Sequence, residues 1–204
     1  MQPTGIIVLR FRNHRLPRAL AGLPCREADD ATAIDEAVRI ARRVVVAGHD
    51  VDLAAVLTRL LRSELLDVEV AHLRGRWCSR RAVTGTARRV PLIRDDTGTA
   101  LVGTALWLPP AGSDRLQGEA VVDDTVLFDG GVAGVRVEPT HVLPGLRATV
   151  LGGRRRRWVS GRAAQLGTTG ARVLRDGAAG TREVKRSTFY RHTTGWLRVG
   201  APRT

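Results

Sequence analysis

The chain has 204 residues, 43% of them hydrophobic and 26% charged. Those proportions belong to a globular chain and exclude a largely disordered, fibrous or membrane-spanning one, and the length fits one large domain or two small ones. The formal net charge is +13, from 33 basic and 20 acidic residues, and Lys185 is the single lysine. An arginine bias of this kind also arises from a GC-rich genome, so the charge alone does not identify a polyanionic ligand.

The distribution of charge is more informative than its sum. Residues 1–94 carry +7 and residues 139–204 carry +12, whereas residues 95–138 carry −6. Two stretches lack acids while collecting arginines: Arg74 to Arg89, and the segment holding Arg154-Arg155-Arg156-Arg157 beside Trp158. Such runs attract phosphate backbones, acidic lipid headgroups or nucleotide phosphates, and they also arise as solvated loops with outward-facing arginines.

In chain order, Gly5–Phe11 is a short apolar run with β-branched residues and reads as a strand. Residues 13–30, punctuated by Pro, Gly and charge, read as loop. Asp30 or Thr32 caps a helix whose apolar face is Ile34, Ala37, Val38 and Ala41. Val44-Val45-Val46-Ala47 suits a strand buried on both faces. A tight Gly48-His49-Asp50 turn follows, then a helix from about Val51 to Leu65 and a strand over Asp67–His72. Strand, turn, helix, strand is a βαβ unit. Beyond residue 82 the helical period disappears. Short alternating runs at 89–94, 99–107, 119–122, 125–128, 132–137, 146–151, 156–166, 171–175, 183–190 and 196–199 are separated by turn signals. These signals include Asp95-Asp96-Thr97-Gly98, Asp129-Gly130-Gly131, Thr168-Thr169-Gly170 and Asp176-Gly177. The expected architecture is a two-part α+β chain: a truncated, Rossmann-like α/β segment over 1–81, then an all-β, sandwich-like domain over 82–204.

A short loop between a buried parallel strand and a helix N-terminus is a common seat for phosphate, because free N–H groups and the positive dipole end converge there. Here that loop reads Val46-Ala47-Gly48-His49-Asp50-Val51-Asp52. It resembles the Gly-Gly-Asp-Gly-Thr loop of the diacylglycerol kinase/NAD kinase superfamily. Thr84-Gly85-Thr86-Ala87 is similar to that family's later Gly-Thr-Gly/Ala-Asn-Asp loop, and the order of an α/β half before a β half also agrees. The resemblance implies a nucleotide-binding site at Gly48, His49, Asp50, Thr84, Gly85 and Thr86. ATP and Mg enter as cofactors through the resemblance only.

The departures concern the chemistry. His49, Val51 and Asp52 replace two glycines and the threonine. A glycine lets backbone approach phosphate and allows φ > 0; Val51 closes that option. Asp52 is a good helix cap and a poor phosphate neighbour. Arg88-Arg89 stand where the family has Asn-Asp, and neither Asp129-Gly130-Gly131 nor Asp176-Gly177-Ala178 keeps the glutamate of the bacterial lipid kinases' Asp-Gly-Glu turn. With these departures, the resemblance implies a shortened, motif-degenerate, lipid-kinase-like protein that binds a nucleotide or acidic phospholipid headgroup, with no catalytic residue assigned and kinase activity expected to be lost; an active form would be an ATP-dependent lipid kinase. The alternative is a nucleic-acid-associated module using Arg154, Arg155, Arg156 and Arg157 as an anion-binding run.

Cys25 and Cys78 are the only thiols and make neither a disulfide framework nor a zinc pattern. With no apolar run of leader or spanning length, the expected place is the cytoplasm, with peripheral membrane contact allowed. Trp107, Trp158 and Trp196 are expected in the core or rim of the β part.

Overall fold

The computed structural model describes residues 5–28, 30–73, 79–153 and 157–200. The chain is mixed α/β, and its residues fall into two compact units. One is drawn from Met1–Val90 with Thr194–Thr204, the other from Pro91–Thr193.

The first unit contains β1 (Ile6–Arg10), β2 (Cys25–Glu27), α1 (Ala31–Ile40), β3 (Arg43–Ala47), α2 (Asp50–Arg62), β4 (Glu69–His72), α3 (Ser79–Thr84) and β5 (Ala87–Val90). The second unit holds β6 (Ile93–Asp95), β7 (Ala100–Leu101), β8 (Ala105–Leu108), β9 (Leu116–Val122), β10 (Thr125–Val132) and β11 (Val135–Pro139). It continues with β12 (Leu146–Val150), β13 (Val159–Gly161), β14 (Ala163–Arg175), β15 (Ala178–Ala179) and β16 (Val184–Arg191), after which β17 (Trp196–Val199) returns to the first.

The sheet of the first unit has the order β2-β1-β3-β4-β17-β5, parallel from β2 to β17 and antiparallel at β5. Every residue of β3 is buried, as the continuous apolar run predicts for a central parallel strand. Asp30 caps α1 by accepting the Ala33 N–H at 2.8 Å, and Ile34, Ala37 and Val38 face inward. Val8, Leu20, Val45, Ala47, Ala71, Ala82 and Val199 form a core cluster of this unit. The loop expected over 13–30 contains β2, a three-residue strand whose residues are all exposed, so no apolar pattern marks it.

α1 and α2 are tied by Asp35 and Arg59, whose guanidinium Nε donates to Oδ1 at 2.7 Å. That hydrogen bond outweighs burial and holds the Asp35 carboxyl below its ordinary range. A depressed folded-state pKa contributes stability above the unfolded value, near 4, that is lost as pH falls through the folded one. The melting temperature of Asp35→Asn should therefore lie below that of the wild type at pH 7. The two should converge below about pH 4, which a melting series across pH would show.

The second unit is an eleven-stranded antiparallel sheet system in which β14 is the hub, pairing with β16, β9, β8 and β15. Trp107, Leu116, Leu146 and Phe189 are fully enclosed in its core. Trp107 is buried in this core and Trp158 is half-buried, a core and a rim position as expected, whereas Trp196 is buried in β17 of the first unit.

Two expected turns are strand. Asp129-Gly130-Gly131 lies inside β10, with Gly130 opposite Gly118 of β9. A Cβ on Gly118 would lie 2.1 Å from the Gly167 carbonyl oxygen, so this glycine serves strand approach rather than a turn. Thr168-Thr169-Gly170 lies inside β14, where the register shifts between Gly167 and Ala171 as the strand passes from β9 to β8. Similarly, the run 89–94, read by periodicity with the all-β part, is divided: β5 pairs with 196–199 in the sheet of the first unit, while β6 belongs to the second. Alternation identifies a strand but not the sheet it joins.

Candidate functional site

β1, β3 and β4 are parallel neighbours, so their C-terminal ends lie along one edge, the position at which open parallel sheets bind ligands. The sequence after β1 supplies Arg12 and His14, the turn after β3 supplies Gly48 and His49, the start of α2 supplies Asp50 and Asp52, and the end of β4 supplies His72.

His72 carries its ring against the turn. Its Nε2 lies 3.0 Å from the Gly48 carbonyl, which only accepts, so Nε2–H is the donor. Its Nδ1 stands 3.7 Å from Asp50 Oδ1. The His72 side chain is 9% exposed and that of Asp50 is 38% exposed, so this pair is a buried ring behind an accessible carboxylate. His49 is exposed, with its ring edge-on to that of His14 at 6.2 Å between centroids.

Asp52 behaves differently. Its side chain is 4% exposed, and Oδ2 accepts the His49 backbone N–H at 2.7 Å. Arg12 Nη1 reaches Oδ1 at 2.7 Å and Oδ2 at 2.8 Å. A Cβ on Gly48 would lie 2.6 Å from that same Oδ2. The Gly48 position thus makes room for a carboxylate of the chain itself, and Gly48 is not among the glycines with positive φ. The two acids face separate groups, Arg12 at Asp52 and His72 at Asp50. Among the described residues no three His, Cys, Asp or Glu side chains converge as metal ligands.

Thr84-Gly85-Thr86 is held by other partners. The guanidinium of Arg43, 5% exposed at the start of β3, donates to the carbonyls of Ala82, Val83 and Gly85. A Cβ on Gly85 would meet the Arg81 carbonyl at 2.4 Å and Val199 Cγ1 at 3.3 Å. Gly48, His49 and Asp50 therefore share one turn beyond the end of β3, while Gly85 is anchored to the residue that begins that strand. Arg89 donates to the Gly195 carbonyl at 2.6 Å and pairs with Asp67.

In the second unit the Asp176 carboxylate accepts the backbone N–H groups of Val102, Gly103 and Thr104 at 2.7–3.0 Å, bracing a turn in which Asp176 and Gly177 both have positive φ. Arg154, Arg155 and Arg156 lie outside the described residues, as does Cys78; Arg157 is exposed. One face of Trp158 is covered by Arg147, whose Cζ stands 4.2 Å from the ring centroid. Arg147 in turn pairs with Glu138. No helix among the described residues is long and apolar enough to cross a membrane.

Arg12, His72 and Arg43 carry no motif signal, and sequence reading missed them. For His72 the signal was positional: it ends the strand beside the one that feeds the turn.

The fold is similar to that of solved structures of diacylglycerol kinases and an NAD kinase. No family model matches the sequence, and no curated protein matches it. Among solved structures, a protein assigned as a diacylglycerol kinase from Bacillus anthracis str. Sterne superposes with a TM-score of 0.77 at 9% identity, covering 98% of this chain and 97% of that one. A further diacylglycerol kinase structure from the same organism gives 0.72 at 10% identity over the same shares. An NAD kinase from Archaeoglobus fulgidus in complex with ATP gives 0.64 at 13% identity, covering 95% and 92%. At these identities the likeness is one of fold.

Proposed function

We propose that this chain is a non-catalytic relative of the diacylglycerol and NAD kinases that binds a small phosphate-bearing ligand, a nucleotide first and a phospholipid headgroup second, at the C-terminal edge of β1, β3 and β4. The observation that carries this reading is the Gly48-His49-Asp50 turn, which joins a buried parallel strand to a helix N-terminus while presenting an exposed imidazole. The likeness to an ATP-bound NAD kinase favours the nucleotide. The loss of phosphoryl transfer rests on commitments of the acids. Asp52 is neutralised by Arg12, Asp176 is consumed by three backbone N–H groups, and an arginine occupies the place of the family's acid. Phosphoryl transfer needs charge-neutralising cations and an oriented acceptor, and Asp52 and Asp176 are already engaged within the chain.

AMP should raise the melting temperature of the wild-type protein at physiological salt, because a ligand that binds only the native state stabilises it by mass action. His49→Ala should remove the shift. Glycerol 3-phosphate in a parallel scan distinguishes a headgroup from a nucleotide. No phosphorylated product should form from ATP–Mg with a diacylglycerol or NAD. Turnover that disappears in Asp50→Ala would overturn the non-catalytic reading.

A further inference from the structure

We propose that the second unit carries an anion site of its own, a cavity of about 500 Å³ that takes a small polyanion whose charge sits on phosphate or carboxylate oxygens. Its lining comes from the segments 96–99 and 180–187 together with Arg175, all within the second unit. The site therefore goes beyond the ligand proposed for the Gly48-His49-Asp50 turn and does not depend on it. The volume lies in the range of small-molecule sites.

Four basic side chains, Arg175, Arg182, Lys185 and Arg186, line the cavity with two acidic ones, Asp96 and Glu183. The ion pairs of the second unit join Glu138 to Arg136 and Arg147, and Asp95 to Arg175. Arg182, Lys185 and Arg186 thus have no carboxylate partner among the described residues. Glu183 is engaged elsewhere, since its Oε1 accepts the Ala111 N–H at 2.7 Å. Asp95, which is 0% exposed, holds three lining residues in place. Its Oδ1 accepts the N–H groups of Thr97 and Thr99 at 2.9 Å and the Thr97 hydroxyl at 2.7 Å, and Oδ2 faces Arg175 Nε at 2.6 Å. Arg175 Nη1 lies at the wall beside Gly180, where an added Cβ would stand 3.7 Å from it.

Ser187 supplies a buried donor. It is 2% exposed and lines the cavity, and its Oγ accepts the Trp107 indole N–H at 2.9 Å. The indole only donates, so the serine hydrogen is left without an acceptor among the described residues. An anion oxygen in the cavity removes that deficit. Guanidinium forks and an ammonium bind oxygen anions by charge-assisted hydrogen bonds. The excess of basic over acidic side chains selects a ligand with two or more negative charges and repels metal cations.

Lys185 is the single lysine of the chain, so its amine reports on this cavity alone. The test is the rate at which acetic anhydride acetylates Lys185, read by peptide mass with the α-amino group as internal reference. It is run at about 0.15 M salt, where attraction to distant arginines is screened. The probes are inorganic pyrophosphate and citrate. A bound anion covers the amine and favours its protonated, unreactive form, so acetylation should slow to a saturating limit. Protection by pyrophosphate alone assigns the site to phosphates, and protection by citrate alone assigns it to carboxylates. Arg182→Gln combined with Arg186→Gln should raise the half-protecting concentration at least about tenfold, through the loss of charge-assisted contacts. Each single variant should give an intermediate shift, which serves if the double variant folds poorly. Arg39→Gln with Arg62→Gln removes the same charge from exposed positions on α1 and α2 and should leave protection unchanged. Absence of protection by both probes overturns the proposal, as does equal protection in the wild type and the Arg182/Arg186 variants. A shift of the same size in the Arg39/Arg62 variant overturns it too, since general surface charge would then be the cause. Reactivity is read at Lys185 itself, so failure here is a separate result from failure of AMP to stabilise the protein.

Discussion

Arg43→Met should lower the unfolding free energy by about 3–5 kcal/mol, the range for removing one member of a buried ion pair. Arg43 is 5% exposed, and its guanidinium is engaged on every side. Nε donates to Glu69 Oε2 at 2.7 Å, Nη1 to the carbonyls of Ala82 at 3.1 Å and Val83 at 2.5 Å, and Nη2 to that of Gly85 at 2.9 Å. These carbonyls lie at the end of α3, where a helix leaves its last acceptors without internal partners. Methionine has a similar length and no donors, so it would leave Glu69, with a side chain 19% exposed, with only the more distant Arg42 at 3.8 Å, beside three carbonyls that have lost their donor. Adding Glu69→Leu to Arg43→Met should recover part of the loss, because the stranded charge is then gone. Urea denaturation of the single and double variants measures both numbers. A loss below about 1 kcal/mol for the single variant would mean that the ion pair is replaceable by solvent.

Trp107→Ala should cost about 3–5 kcal/mol from cavity formation in the core of the second unit, with a further contribution from the polar group it strands. Trp107 is 0% exposed, its ring lies 5.8 Å from that of Phe189, and its Nε1–H donates to Ser187 Oγ at 2.9 Å. Ser187 is itself 2% exposed. Trp107→Phe keeps most of the volume and loses the donor, so it should fall well short of the alanine variant. Thermal denaturation followed by near-ultraviolet circular dichroism reads the loss of aromatic packing directly. If alanine and phenylalanine were equally damaging, the hydrogen bond rather than the volume would dominate.

The two sites differ in how visible they were. A tryptophan between alternating apolar residues announces a core position, and Trp107 was read so. An arginine opening an apolar strand reads as a boundary. Nothing within ten residues of Arg43 indicates that Glu69 and the carbonyls at the end of α3 will close around it. The candidate site divides in the same way. The Gly48-His49-Asp50 turn was legible because a buried strand and a helix flank it. The sequence also marked Asp52 as a poor phosphate neighbour. That Arg12 neutralises it, forty residues away, is a tertiary fact.

By itself, the sequence determined the features that depend on neighbours along the chain. These are the buried run of β3, the apolar faces of α1 and α2, and the turns at Asp95 and Asp176, all set by periodicity and local hydrogen bonding, while the structure chose Asp30 over Thr32 as the cap of α1. Only the tertiary structure decided which sheet β5 and β17 join, that Gly130 sits inside β10 opposite Gly118 instead of in a turn, and that Asp176 is spent on the backbone of residues 102–104. The reason is one of range. A side chain's period reveals which face it buries, whereas the partner on that face comes from a distant segment and leaves no trace in the local pattern.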